Sequence, residues 1–185
     1  MRLTILFFCA AVMGAQFIGV SGHRTRTTGA PLDALAITSG AGTTLVNTGS
    51  APFSWRGIYG AFLGPNKTVT ALCRWKVAGN IQTHLVELVA NTGYVILASA
   101  SVDLTTCASG TWCCASIAPV TVIGYGGATY FVLSHETDGG DQWYDVFPVT
   151  SDSGFQAEYA AYGDNTSFGQ YATGKIVVPV NLRYH

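Results

Sequence analysis

Beyond residue 50 apolar and polar residues alternate along most of the chain, and this period of two constrains the fold more than any other feature. Successive side chains of an extended strand point to opposite faces, so alternation marks a strand with one face turned to a core. Val69, Ala71, Cys73, Trp75 and Val77 share one face; Thr70, Leu72, Arg74 and Lys76 share the other. Leu85, Glu87 and Val89 alternate with His84, Val86 and Leu88, which turns Glu87 toward solvent. Further runs cover 94–102, 128–134, 146–150 and 155–162. In the last run Ile176, Val178, Val180, Leu182 and Tyr184 oppose Val177, Pro179, Asn181 and Arg183. Pro179 has no N–H to give to a ladder, which places this strand at a sheet edge or at a bulge.

Turn-forming pairs such as Gly79-Asn80, Gly126-Gly127, Gly139-Gly140 and Gly163-Asp164 separate the runs. No amphipathic helix of useful length is visible outside the N-terminal segment. Short strands at even spacing with polar turns predict an all-β fold: a two-sheet antiparallel sandwich of jelly-roll type with an N-terminal extension. The expected organisation is a secretory leader over 1–22, an extended arm over 23–50 and the sandwich over 51–185. Arg2, the apolar run 3–13 and the small-residue exit Val20-Ser21-Gly22 form the three parts of a leader, with cleavage after Ala15 as the other option. The apolar run is shorter than the roughly 20 residues that span a bilayer, so no membrane span is expected.

Charged residues make up only 10% of the chain and the formal net charge is −1, well below the ~25% of ordinary soluble domains. There is no basic patch, which argues against nucleic acid, and so weakly charged a surface repels its own copies little. Behind a leader, the four cysteines Cys73, Cys107, Cys113 and Cys114 read as two disulfides with three formal pairings. Cys113 and Cys114 are adjacent and on a strand point apart, so a bond between them is disfavoured. The preferred pairing is Cys107 with Cys113 and Cys73 with Cys114. Asn66 and Asn165 begin glycan acceptor triplets.

Stretch 130–145, YFVLSHETDGGDQWYD, joins an apolar strand to an acidic turn and an aromatic exit. Glu136, Asp138, Asp141 and Asp145 are hard oxygen ligands that would suit Ca²⁺; the plainer reading is that they cap turns. Asp141, Gln142, Trp143 and Tyr144 would make a sugar platform, a mix of apolar wall and few polar groups; the plainer reading buries Trp143 in the core. No GxSxG, HExxH or Cys–His arrangement is present, so no enzyme is expected.

From about residue 53 to 184 the chain resembles a family of secreted bacterial β-sandwich modules found in extracellular and surface proteins. The likeness is carried by Val69-Thr-Ala-Leu-Cys-Arg-Trp75, Gly79-Asn80 with His84 and Leu88, 119–122, the GGDQWYD run beginning at Gly139, and Val178-Pro-Val-Asn-Leu182. It implies a secreted, non-catalytic sandwich, with Cys73 and the 107–114 cysteine cluster as additions.

Two functions follow as expectations. The first is an extracellular structural subunit that associates with copies of itself, as a filament or surface coat. Leu32, Leu35, Ile37, Leu45 and Val46 of the arm would then add a strand to a neighbour's sheet, the mode in which main-chain hydrogen bonds supply affinity. The second is a lectin-like binder of surface glycans, with Ca²⁺ as its one candidate cofactor.

Overall fold

The computed structural model describes residues 30–37, 45–46, 54–144, 149–164, 166–171 and 180–185. Residues 1–29, which include the expected leader, and Asp145, Asn165 and Pro179 lie outside the described residues. The strands are β1 (Leu32–Asp33), β2 (Leu35–Ile37), β3 (Leu45–Val46), β4 (Trp55–Phe62), β5 (Lys67–Trp75), β6 (Thr83–Ala90) and β7 (Val95–Asp103). They continue with β8 (Trp112–Val122), β9 (Thr129–His135), β10 (Trp143–Tyr144), β11 (Val149–Ser151), β12 (Phe155–Gly163), β13 (Phe168–Tyr171) and β14 (Val180–Tyr184). Two short 3-10 turns, Thr92–Tyr94 and Leu104–Thr106, complete the elements. No helix among the described residues is long and apolar enough to cross a membrane.

The sheets have the orders β1-β14-β5-β8 and β13-β12-β4-β9-β6-β7, and every pairing in them is antiparallel. Eight strands define the topology: β1, β4, β5, β6, β7, β8, β9 and β14. Taken in chain order, the first pairs with the last (β1·β14), the second with the seventh (β4·β9), the third with the sixth (β5·β8) and the fourth with the fifth (β6·β7). This is one long hairpin folded over on itself, the jelly-roll arrangement. The hairpin β12–β13 adds to the free side of β4.

Between the sheets lie Ile58, Phe62, Val69, Leu72, Val86, Leu88, Val132, Phe155, Leu182 and Tyr184. Phe62 anchors an aromatic group, with ring centroids 5.4 Å from Tyr130, 5.1 Å from Phe155 and 5.6 Å from Tyr184, each edge to face, the geometry the ring quadrupole favours. The six-stranded sheet is buried on its outer face as well, by Trp55, Tyr59, Val89, Phe131, Leu133 and Ala161. That second layer explains why Tyr130, Phe131, Val132 and Leu133 are all buried in succession, because a strand covered on both sides has no solvent face.

Two expectations change. The register between β5 and β8 shifts between Val69 and Ala71, so Leu72 and Arg74 face the core in line with Leu182 and Val180. The alternation had set them opposite Val69, but one extra residue at a bulge moves every later side chain to the other face. The final strand is interior, between β1 and β5, with its own register shift at Arg183 and Tyr184. The arm residues pair within their own chain: Leu32 with Tyr184, Leu35 with Ser151, Ile37 with Val149, Leu45 with Tyr144 and Val46 with Trp143. Their extended backbone satisfies its hydrogen bonds against the nearest open strands, which are its own.

The disulfides follow the expected pairing. Cys73 and Cys114 stand opposite each other across β5 and β8, on the face away from the core. Cys113 turns inward and bonds to Cys107, just past the second 3-10 turn.

Candidate functional site

The acidic turn after β9 is an internal brace. Glu136 is buried and meets the fully buried Arg74 in a two-pronged pair: Nε donates to Oε1 at 2.9 Å and Nη2 to Oε2 at 2.8 Å. Arg74 Nη1 also donates to the Trp75 carbonyl at 3.0 Å. The His84 ring lies beside this pair, with Nδ1 3.2 Å from the His135 carbonyl and 3.4 Å from Glu136 Oε2. Its Nε2 is 3.2 Å from Asp141 Oδ2. Asp141 accepts the backbone N–H groups of Ile81 and Gln82 at 3.1 and 2.8 Å, and its own N–H donates to Gln82 Oε1 at 3.0 Å. Asn80 clamps the next residue, exchanging two hydrogen bonds with the Gln142 backbone at 2.8 and 3.0 Å. Buried carboxylates held this way tie the turn to the 79–82 segment.

Of the residues weighed as a metal or sugar site, Asp145 lies outside the described residues and the others have the following places. Glu136 and Asp141 are committed to Arg74, His84 and backbone donors, while Asp138 is exposed at the turn tip. Among the described residues no group of three His, Cys, Asp or Glu side chains is placed to hold a metal ion. Trp143 is 3% exposed and packs on Ala160 and Val46, so it offers no face for stacking. Tyr144 is half-buried against the main core. Asn66 is exposed, and its side-chain oxygen accepts from the Gly124 N–H at 3.0 Å.

A different place has the form of a site. On the outer face of the six-stranded sheet a cavity of about 510 Å³ is lined by Trp55, Leu85, Glu87, Gly93, Tyr94, Ile96, Thr166 and Phe168. Small-ligand pockets commonly measure roughly 300–1,000 Å³. β4 supplies Trp55, whose ring stands edge-on to His135 at 5.0 Å. β13 supplies Phe168, and the turn before β7 supplies Tyr94, whose centroid is 5.6 Å from that of Phe168. Gly93 (φ 74°) and Tyr94 (φ 52°) both sit in the left-handed region, which is ordinary for glycine and uncommon for a bulky residue. That turn folds Tyr94 back over the sheet.

Glu87 belongs to the lining. It shares the outer face with Leu85 and stands opposite Leu133 and Ser99. The alternation had turned it to solvent, yet it is only 7% exposed, because the layer over this face closes around it. Among the described residues no hydrogen bond or ion pair reaches its carboxylate. Burial raises its carboxyl above the ordinary glutamate value, since desolvation disfavours the charged form. Nothing in the local pattern links residues 55, 87, 94 and 168. The available signal was a strained Gly-Tyr turn preceding an apolar strand.

No family model matches the chain, and neither a curated protein nor a solved structure matches it.

Proposed function

We propose that the protein is a non-catalytic extracellular structural subunit whose copies associate edge to edge. The observation that carries this reading is β7. It ends the six-stranded sheet, runs nine residues and carries one charge, Asp103, at its far end. Val95 and Ile96 at its start are 54% and 56% exposed. Edge strands are normally blunted by lysine, proline or bulges because their free N–H and C=O groups template pairing. β8, which ends the other sheet, is also uncharged, and both edges have a register shift, at Leu97 in β7 and within 117–119 in β8, but only β8 contains a proline, Pro119, which removes a donor from its edge.

Antiparallel pairing of β7 from two copies would join two six-stranded sheets into one. A two-fold contact of this kind closes as a dimer, and a filament needs a second contact. Exchange of β1–β3 between neighbours, through Leu32, Leu35, Ile37, Leu45 and Val46, would supply it with the registers they already use. Secretion and a surface coat fit the leader-like segment and the disulfides. Surface glycans are the other partner class, and the buried Trp143 weighs against them at the GGDQWYD run.

Sedimentation velocity of the oxidised protein over a concentration series tests the reading. We expect a concentration-dependent larger species that shifts toward monomer when Ser99 and Ser101, which face outward, are both changed to Lys. Each like-charge pair across the joint costs up to about 1 kcal/mol. A chain that stays monomeric throughout, or a double-lysine variant with the same species, refutes edge pairing.

A further inference from the structure

We propose that the outer-face cavity binds an alkylammonium cation, its positive nitrogen against Glu87 and its carbon substituents against Trp55, Tyr94 and Phe168. This stands apart from self-association and rests on different observations.

Glu87 is 7% exposed as a residue, and its carboxylate, without a partner among the described residues, keeps contact with solvent through the cavity, so it is partly desolvated and open to a counter-ion. Its surroundings on that face are apolar: Trp55, Tyr59, Val89, Phe131 and Leu133. An aliphatic side chain would pack there without penalty, so fold stability gives no reason for an acid. The carboxylate lines a cavity large enough for a small molecule, and three aromatic rings line the same cavity. Tyr94 reaches it from a strained left-handed backbone, and such strain persists where the surroundings enforce it, often at ligand clamps.

The chemistry of the wall selects the ligand class. Aromatic faces attract cations through the ring quadrupole, most of all cations whose charge is spread over alkyl groups. A metal ion would need several oxygen ligands, and the lining side chains offer one carboxylate and two hydroxyls, of which Thr166 donates to Asp164 and Tyr94 leans toward the Phe168 carbonyl. A sugar would need many donors and acceptors around its rim, which the same wall lacks. A carboxylate lining the same cavity as three aromatic rings is complementary to a cation with an apolar coat.

The probe is choline chloride, titrated calorimetrically into the full oxidised chain, with the neutral tert-butyl analogue of choline as control. Binding at millimolar concentration or tighter is expected, with the neutral analogue about tenfold weaker or more. Glu87→Gln keeps the shape and removes the charge; it should weaken choline by about tenfold or more without lowering thermal stability. Tyr94→Asn, a residue tolerated in the left-handed region, should weaken it while leaving the chain folded. Co-sedimentation with phosphatidylcholine vesicles shows whether the group is also taken from a membrane surface. Binding in either arm that is lost in Glu87→Gln upholds the assignment. It is overturned if neither arm binds up to about 10 mM, or if wild type and Glu87→Gln bind equally.

Discussion

Removing the charge of Glu136 should expose how the acidic turn is built. Arg74 and Glu136 are both fully enclosed and share two parallel hydrogen bonds at 2.9 and 2.8 Å. In Glu136→Gln the amide oxygen can accept from one guanidinium nitrogen, but the amide NH₂ faces the other, donor against donor. Arg74 then keeps the Trp75 carbonyl at 3.0 Å and no counter-charge of its own. Breaking a buried pair on one side costs about 3–5 kcal/mol, and the retained acceptor puts this case at the lower end. At roughly 2–4 °C per kcal/mol for a chain of this size, a 3 kcal/mol loss lowers the melting temperature by roughly 6–12 °C. Replacing both partners, Arg74→Met with Glu136→Leu, removes the stranded charge together with its mate and should be near neutral. Urea unfolding followed by tryptophan fluorescence, with the disulfides intact, of wild type, Arg74→Met, Glu136→Leu and the double variant gives the four corners of the cycle. With each single variant losing about 3 kcal/mol and the double variant near neutral, a coupling of about 6 kcal/mol is expected. The reasoning fails if Glu136→Gln costs under about 1 kcal/mol, or if the double variant loses the sum of the two singles. A rise in wild-type melting temperature with added Ca²⁺, abolished by Glu136→Gln, would return the turn to a metal site.

Two further outcomes follow from the covalent and ionisable groups. The bridge Cys73–Cys114 spans 41 residues and Cys107–Cys113 spans 6, so loop-closure entropy assigns them about 4 and about 2 kcal/mol. Replacing the first pair with alanine should therefore lower the urea midpoint more than replacing the second, and the reverse order would contradict this. For Glu87 the folded-state pKa is raised by burial. Its stabilising effect is present in full below the unfolded value of about 4.5 and is lost as pH rises through the folded value. Glu87→Gln should then raise the melting temperature at neutral pH and leave it unchanged in acid, measured as melting temperature against pH. An equal effect at both pH values would show that the carboxylate is not desolvated.

The strands and their all-β class could be read from the chain's own pattern of residues. Period-two alternation needs only local geometry, so the runs at 69–77, 84–89, 94–102 and 155–162 emerged as β5, β6, β7 and β12. The opposite facing of Cys113 and Cys114 follows from the same geometry. β4 stayed hidden because Gly57 and Gly60 interrupt its pattern and both of its faces are covered. Tertiary structure alone decided the rest. A bulge at Val69 and Ala71 turned Arg74 inward to meet Glu136, 62 positions away. Sheet order brought Trp55, Glu87, Tyr94 and Phe168 to one cavity. Local periodicity tells a residue which face it occupies until one extra residue intervenes, and it carries no information about which distant strand covers that face.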